Sequence, residues 1–200
     1  MAKIKLCGLS RDVDVEYANA VQPDYVGFVF SQRSRRYVNY ERAAELKRSL
    51  AGTIKAVGVF VDAPLEDVVR LVETGTIDVL QLHGREGEDY VVELRRRIGA
   101  PIIQAYRIDS ELDVARAFQT RADFPLLDSG AGGTGRAFDW SKVADSPRPF
   151  FLAGGLGPEN VVEAIQLLRP FAVDMSSGVE TSGFKDIHKM KKAVELVRSI

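Results

Sequence analysis

Eight short apolar runs, each followed by a longer segment of helical period, recur along the whole chain, and this alternation limits the folds open to it. The runs are Lys3–Cys7, Tyr25–Phe30, Ile54–Val61, Val79–His83, Pro101–Ile108, Phe124–Asp128, Pro149–Ala153 and Phe171–Met175. Stretches such as Tyr-Val-Gly-Phe-Val-Phe and Ala-Val-Gly-Val-Phe-Val lack the alternation of a half-exposed strand. They require cover on both faces, which is the habit of parallel sheets. The helical segments are Val13–Ala20, Tyr40–Leu50, Pro64–Glu73, Glu88–Ile98, Leu112–Phe118, a short one from Trp140, Pro158–Leu168 and Asp186–Ile200. Pro64 and Pro158, with acids close behind, are expected at first helical positions, and Gly75 and Gly99 at C-terminal caps. At about 25 residues per βα unit, the pattern predicts an α/β fold of the (β/α)8 barrel (TIM barrel) type as a single domain over residues 1–200. A doubly wound open sheet is the structural alternative.

Composition narrows the chemistry. Lys and Arg number 27 against 28 Asp and Glu, for a formal charge of -1, so no global field favours nucleic acid or an anionic membrane. Apolar runs such as Ala56–Val61 are far short of the ~20 residues that span a bilayer. No signal-peptide pattern opens the chain, and a cytoplasmic protein is expected. The single cysteine, Cys7, excludes an intrachain disulfide, and with two histidines it cannot complete a four-ligand zinc site. A bound metal is not expected.

Reactive groups of a (β/α)8 barrel stand at the C-terminal ends of strands. There the sequence places Cys7, Ser31, Asp62, His83, Arg107, Asp128, Gly154-Gly155 and the run Asp174-Met175-Ser176-Ser177-Gly178. Cys7 reads either as a small buried apolar residue or as a thiol able to act as base or nucleophile beside a cation. Asp128 reads either as a cap of the following loop or as a carboxyl desolvated enough to donate a proton. Glycine-exposed amides after strands 7 and 8, at Gly154, Gly155, Ser176, Ser177 and Gly178, suit a phosphate dianion. Gly130-Ala131-Gly132-Gly133-Thr134-Gly135 matches GxGxxG, but no helix opens at once and no acid follows at the ribose spacing. A closing loop of small residues is the better reading. Of Arg33, Arg35 and Arg36, one can turn inward to hold a carboxylate. His188, Lys189, Lys191 and Lys192 belong to the surface of a final helix.

Taken together, Lys5-Leu6-Cys7-Gly8, Gly27-Phe28-Val29-Phe30, Ser34-Arg35-Arg36-Tyr37, Gln81-Leu82-His83-Gly84, Leu127-Asp128, Phe138-Asp139-Trp140, Ala153-Gly154-Gly155-Leu156 and Asp174 with Ser176–Glu180 resemble the phosphoribosylanthranilate isomerases of tryptophan biosynthesis. The resemblance spans the chain. It implies an Amadori rearrangement of a phosphosugar without a cofactor, by a monomer or homodimer. It also implies that Asp128 is the general acid, Cys7, ionised, the general base, Arg36 the contact to the anthranilate carboxylate, and the glycines and serines after strands 7 and 8 the phosphate site. His83 and Asp174 match family positions near the ligand. Leu6 stands where isoleucine is common, and the segment from Asp128 to Phe138 is short. The alternatives are a histidine-pathway type of isomerase, which would carry aspartate in place of Cys7, and a non-catalytic phosphosugar binder.

Overall fold

A computed structural model describes residues 1–128, 143 and 146–200. All eight apolar runs become strands: β1 Lys3–Cys7, β2 Tyr25–Val29, β3 Lys55–Phe60, β4 Val79–Leu82, β5 Ile102–Arg107, β6 Phe124–Asp128, β7 Phe151–Ala153 and β8 Ala172–Met175. They pair in parallel in sequence order, and β8 returns to β1 with Lys3 opposite Ala172 and Lys5 opposite Asp174. That last pairing closes the sheet and excludes the open alternative.

The described helices are α1 Asp12–Val21, α2 Tyr40–Ser49, α3 Leu65–Glu73, α4 Glu88–Arg97, α5 Glu111–Phe118, α6 Val161–Leu168 and α7 Ile187–Arg198. The expected short helix from Trp140, the Phe138-Asp139-Trp140 motif and the loop Gly130–Gly135 lie outside the described residues. None of the described helices is long and apolar enough to cross a membrane.

Alternate residues of each strand face opposite ways, so the core has two shells. Outward-facing Ile4, Leu6, Val26 and Phe28 pack with Ala18, Ala43, Leu46 and Val194 of the helices. The inward shell is filled by Val57, Val79, Ile103, Leu126, Phe151 and Ala172, packed with Tyr25, Phe124 and Phe171. Its aromatic end is continuous: Phe151 meets Tyr25, Phe124 and Phe171 with centroids 5.5 to 5.7 Å apart. The barrel is thus a packed plug there, and any site must sit at the opposite, C-terminal mouth.

Two expected helix signals are corrected. Pro158 does not open a helix: it lies in a turn, and α6 begins at Val161. Asn160 braces that turn, accepting from Gly157 N at 3.0 Å and donating to Gly155 O at 3.0 Å. Gly99 is not a left-handed cap, because Ile98 already leaves α4 in an extended conformation. Gly75 does cap α3, at φ +67° with its N–H donating to Val72 O. A two-residue hairpin that periodicity could not reveal, β9 Glu180–Thr181 and β10 Phe184–Lys185, follows β8. Ser182 and Gly183 both have positive φ, as a type I′ turn requires.

Candidate active site

Cys7 ends β1 with its thiol buried against β2. Gly27 makes this possible, since a Cβ added there would lie 2.7 Å from Sγ. Gly8 follows at φ +84°, where an added Cβ would lie 2.2 Å from Arg36 Cδ, so the arginine stem crosses over bare backbone. Ser176 Oγ donates to the Cys7 carbonyl at 3.1 Å and ties β1 to the loop after β8. Beneath the thiol, on the same face of β1, Lys5 is fully buried and donates to Asp174 Oδ2 at 2.8 Å.

Electrostatics at this floor are opposed. Burial pushes the Cys7 thiol up, and the nearby Lys5 ammonium pulls it down without cancelling the effect. The expectation of an ionised Cys7 is therefore corrected for the unliganded site: the thiol rests neutral, because desolvation outweighs the cations. Burial alone would favour neutral Lys5, but the Asp174 carboxylate holds its ammonium above the usual lysine range.

Arg36 is half-buried rather than solvated. Its Nε donates to Glu180 Oε1 at 2.6 Å and its Nη2 to Oε2 at 2.8 Å. Glu180 also accepts from Arg35 Nη2 at 2.8 Å and from the buried Lys185 Nζ at 2.7 Å, while Lys185 donates to Ser176 O at 3.0 Å. Burial alone would raise the Glu180 carboxyl, but hydrogen bonds from Arg36 and Lys185 and their charges hold it below the usual range. A guanidinium gripped along its Nε–Nη2 edge keeps its Nη1 end available for a second carboxylate.

Asp128 ends β6 with its side chain a quarter exposed, so desolvation is partial. His83, one residue past β4, places Nε2 3.5 Å from Asp128 Oδ2, and Gln81 Nε2 lies 2.9 Å from its Nδ1. With the amide as donor, the ring proton sits on Nε2, the nitrogen that faces Asp128. Gly154 and Gly155 turn sharply after β7 at φ +92° and +64°. Ser176 leads into a short 3-10 turn, Ser177–Val179, and a Cβ added to Gly178 would lie 2.0 Å from Leu156 O. The two phosphate-type loops therefore meet backbone to backbone. His188, Lys189 and Lys192, expected on the open surface, line a cleft with Ser177 and Gly178.

The structure thus gathers Cys7, Arg36, Asp174 and Ser176 into one network and pairs His83 with Asp128 at the same barrel mouth. The sequence reading gave no role to Lys5, Gln81, Glu180 or Lys185. Lys5 did leave a signal, a charge two residues before Cys7 in an apolar strand. Among the described residues no group of three or more His, Cys, Asp or Glu could hold a metal ion.

A family model described as N-(5'phosphoribosyl)anthranilate (PRA) isomerase matches residues 4–196. The chain belongs to this family. It is 46% identical over 206 residues to the N-(5'-phosphoribosyl)anthranilate isomerase of Caldanaerobacter subterraneus subsp. tengcongensis and 43% identical over 204 residues to that of Endomicrobium trichonymphae, each match covering both chains completely. The crystal structure of phosphoribosyl anthranilate isomerase from Thermotoga maritima superposes with a TM-score of 0.91 at 36% identity, covering both chains fully. A phosphoribosyl anthranilate isomerase in complex with reduced 1-(o-carboxyphenylamino)-1-deoxyribulose 5-phosphate superposes at 0.89, with 35% identity and full coverage. The family is thus an isomerase family whose members share this barrel.

Proposed function

We infer that the chain converts N-(5-phosphoribosyl)anthranilate to 1-(2-carboxyphenylamino)-1-deoxyribulose 5-phosphate, an aldose-ketose isomerisation of tryptophan biosynthesis. The observation that carries this reading is a thiol at the end of β1 and a carboxyl at the end of β6 in one barrel mouth, in a chain matched end to end by the family.

Asp128 protonates the ring oxygen, and the C1′–O bond breaks as the anilino nitrogen donates its electron pair, leaving an iminium. His83, oriented by Gln81, faces this acid. The cationic nitrogen acidifies the C2′–H bond, and the same positive charge favours the thiolate, so a thiol that rests neutral becomes a base when it is needed. Cys7 takes the C2′ proton to give an enolamine, which loses its C2′ hydroxyl proton as it gains one at C1′ and becomes the aminoketone. The open end of Arg36 holds the anthranilate carboxylate. Gly154, Gly155, Ser176, Ser177 and Gly178 hold the phosphate through backbone amides and hydroxyls. Asp174 acts below the ligand, through Lys5. The substrate is a small phosphosugar, met in the cytoplasm by a monomer or homodimer. A crystal structure of monomers generated from the dimeric Thermotoga maritima enzyme is among its neighbours, at a TM-score of 0.88.

The test follows the fluorescence of phosphoribosylanthranilate generated in place, with a chelator present. Enzyme-dependent decay to the aminoketose is expected, with Cys7→Ala and Asp128→Asn each slower by at least about 10²-fold. Decay at the spontaneous rate would overturn the reading.

A further inference from the structure

Among the described residues Lys5 is the one fully buried lysine of the inward barrel face near the thiol, and the reaction as written gives it no proton to move. Its side chain is 0% exposed and its ammonium is anchored on Asp174 Oδ2 at 2.8 Å. Buried ion pairs are poor sources of stability, because desolvation offsets their attraction and an apolar pair of similar volume serves as well. The pair therefore calls for another explanation, and its position supplies one. Lys5 and Cys7 are two residues apart on β1, so their side chains share the inward face with Cα atoms about 7 Å apart. A lysine stem is long enough to span that distance, so the charge of Lys5 bears on the Cys7 thiol.

The surrounding charges leave an imbalance that a thiolate would fill. Lys5 comes from β1, Arg36 from the loop after β2, and Lys185 from β10. Against them stand Asp174 of β8 and Glu180 of β9. Arg35 also touches Glu180 but is largely exposed and screened by solvent. His83, just past β4, and Asp128 of β6 pair with one another across 3.5 Å. Glu180 is shared between Arg36 and Lys185, and Lys5 is the only partner recorded for Asp174 among the described residues, its Oδ1 being buried without one. Among the described residues, three cations facing two carboxylates make the floor of the site one negative charge short.

We propose that Lys5 is the positioning residue of the general base: anchored by Asp174, its ammonium is the fixed positive charge against which the Cys7 thiolate forms. This rests on the reading of Cys7 as the base, and Lys5 itself exchanges no proton with substrate. Asp174 contributes by keeping the amine charged and aimed, which gives that strand-end carboxylate a task without direct substrate chemistry.

The chain has a single cysteine, so the ultraviolet absorbance of thiolate, taken as the difference from Cys7→Ser, titrates Cys7 alone. Lys5→Gln keeps a neutral donor to Asp174 and removes the charge. Its Cys7 titration midpoint is expected to rise by about one pH unit or more, equivalent to about a tenfold smaller thiolate fraction below the midpoint. The acid limb of kcat/KM should move by the same amount while KM changes little. A Lys5→Gln titration that superimposes on the parent would overturn the proposal, even if the variant were less stable. Should Lys5→Gln fail to fold, Lys5→Met/Asp174→Asn removes both charges together; because Asp174 itself raises the thiol while Lys5 lowers it more, a smaller upward shift is expected, and superposition on the parent or a downward shift would overturn the proposal. Full activity in Cys7→Ser would instead defeat the reading of Cys7 as base, an outcome distinct from any behaviour of Lys5.

Discussion

Room for the thiol is set by a missing Cβ. Gly27 is the residue opposite Cys7 on β2, and an added methyl would press on Sγ at 2.7 Å and on the Cys7 Cα at 3.1 Å. Backbone cannot yield as a side-chain tip can. Gly27→Ala is expected to lower kcat/KM by about 10²-fold through misplacement of the thiol and to cost about 1–3 kcal/mol of stability as overpacking. Steady-state kinetics beside urea unfolding measure both effects. The placement of Cys7, Asp128 and His83 at or just past strand ends was legible in the sequence because each ends an apolar run. The neutral resting state of Cys7 was not, because it depends on burial against β2 and on the charge of Asp174, far away in the chain. Glu180 was visible as the end of a motif, yet its grip on Arg36 spans 144 positions, and no local pattern encodes such a contact.

At the level of elements, the loops after β7 and β8 behave as one piece. Gly178 touches the Leu156 carbonyl, while Asn160 locks the first loop to itself and Lys185 locks the second to the β9–β10 hairpin. Gly178→Ala therefore has to push two backbones apart. Inhibition by inorganic phosphate should weaken about tenfold or more, as backbone donors leave their common focus, while the Cys7 titration stays in place. Phosphate inhibition constants and the thiolate titration, run on the same variant, separate the two ends of the site. Strand existence and order followed from apolar runs and helical periods, since both report burial directly. The start of α6 did not: Pro158 with Glu159 is a proper opening signal, but the Asn160 brace holds those residues in a turn. The hairpin was silent because two-residue strands carry no period.

Across the whole molecule, closure depends on β8 finding β1, and much of the charge inside the mouth comes with the segment that follows. Glu180 illustrates how this enters stability. Its folded carboxyl lies below the unfolded value, so the unfolded chain binds the proton more readily. The stability it contributes is complete above the unfolded value of about 4.3 and disappears as pH falls through the lower folded value. Urea midpoints of the parent and Glu180→Gln should thus differ near neutrality and converge below about pH 4; a constant difference would show that Glu180 does not titrate with folding. The barrel class was legible from repetition alone, whereas the pairing of buried charges across the seam was not, because a sequence displays strands in order but not the contact that joins its two ends.

That seam has a meaning in time as well. Lys5 and Asp174 are 169 positions apart, so at roughly 5–20 residues per second a ribosome delivers the acid on the order of ten seconds after the lysine. Throughout that interval the first strand has only one neighbour and its lysine has no counter-charge to be buried with. The buried setting of the Cys7 thiol is therefore complete only when β8 arrives to pair with β1.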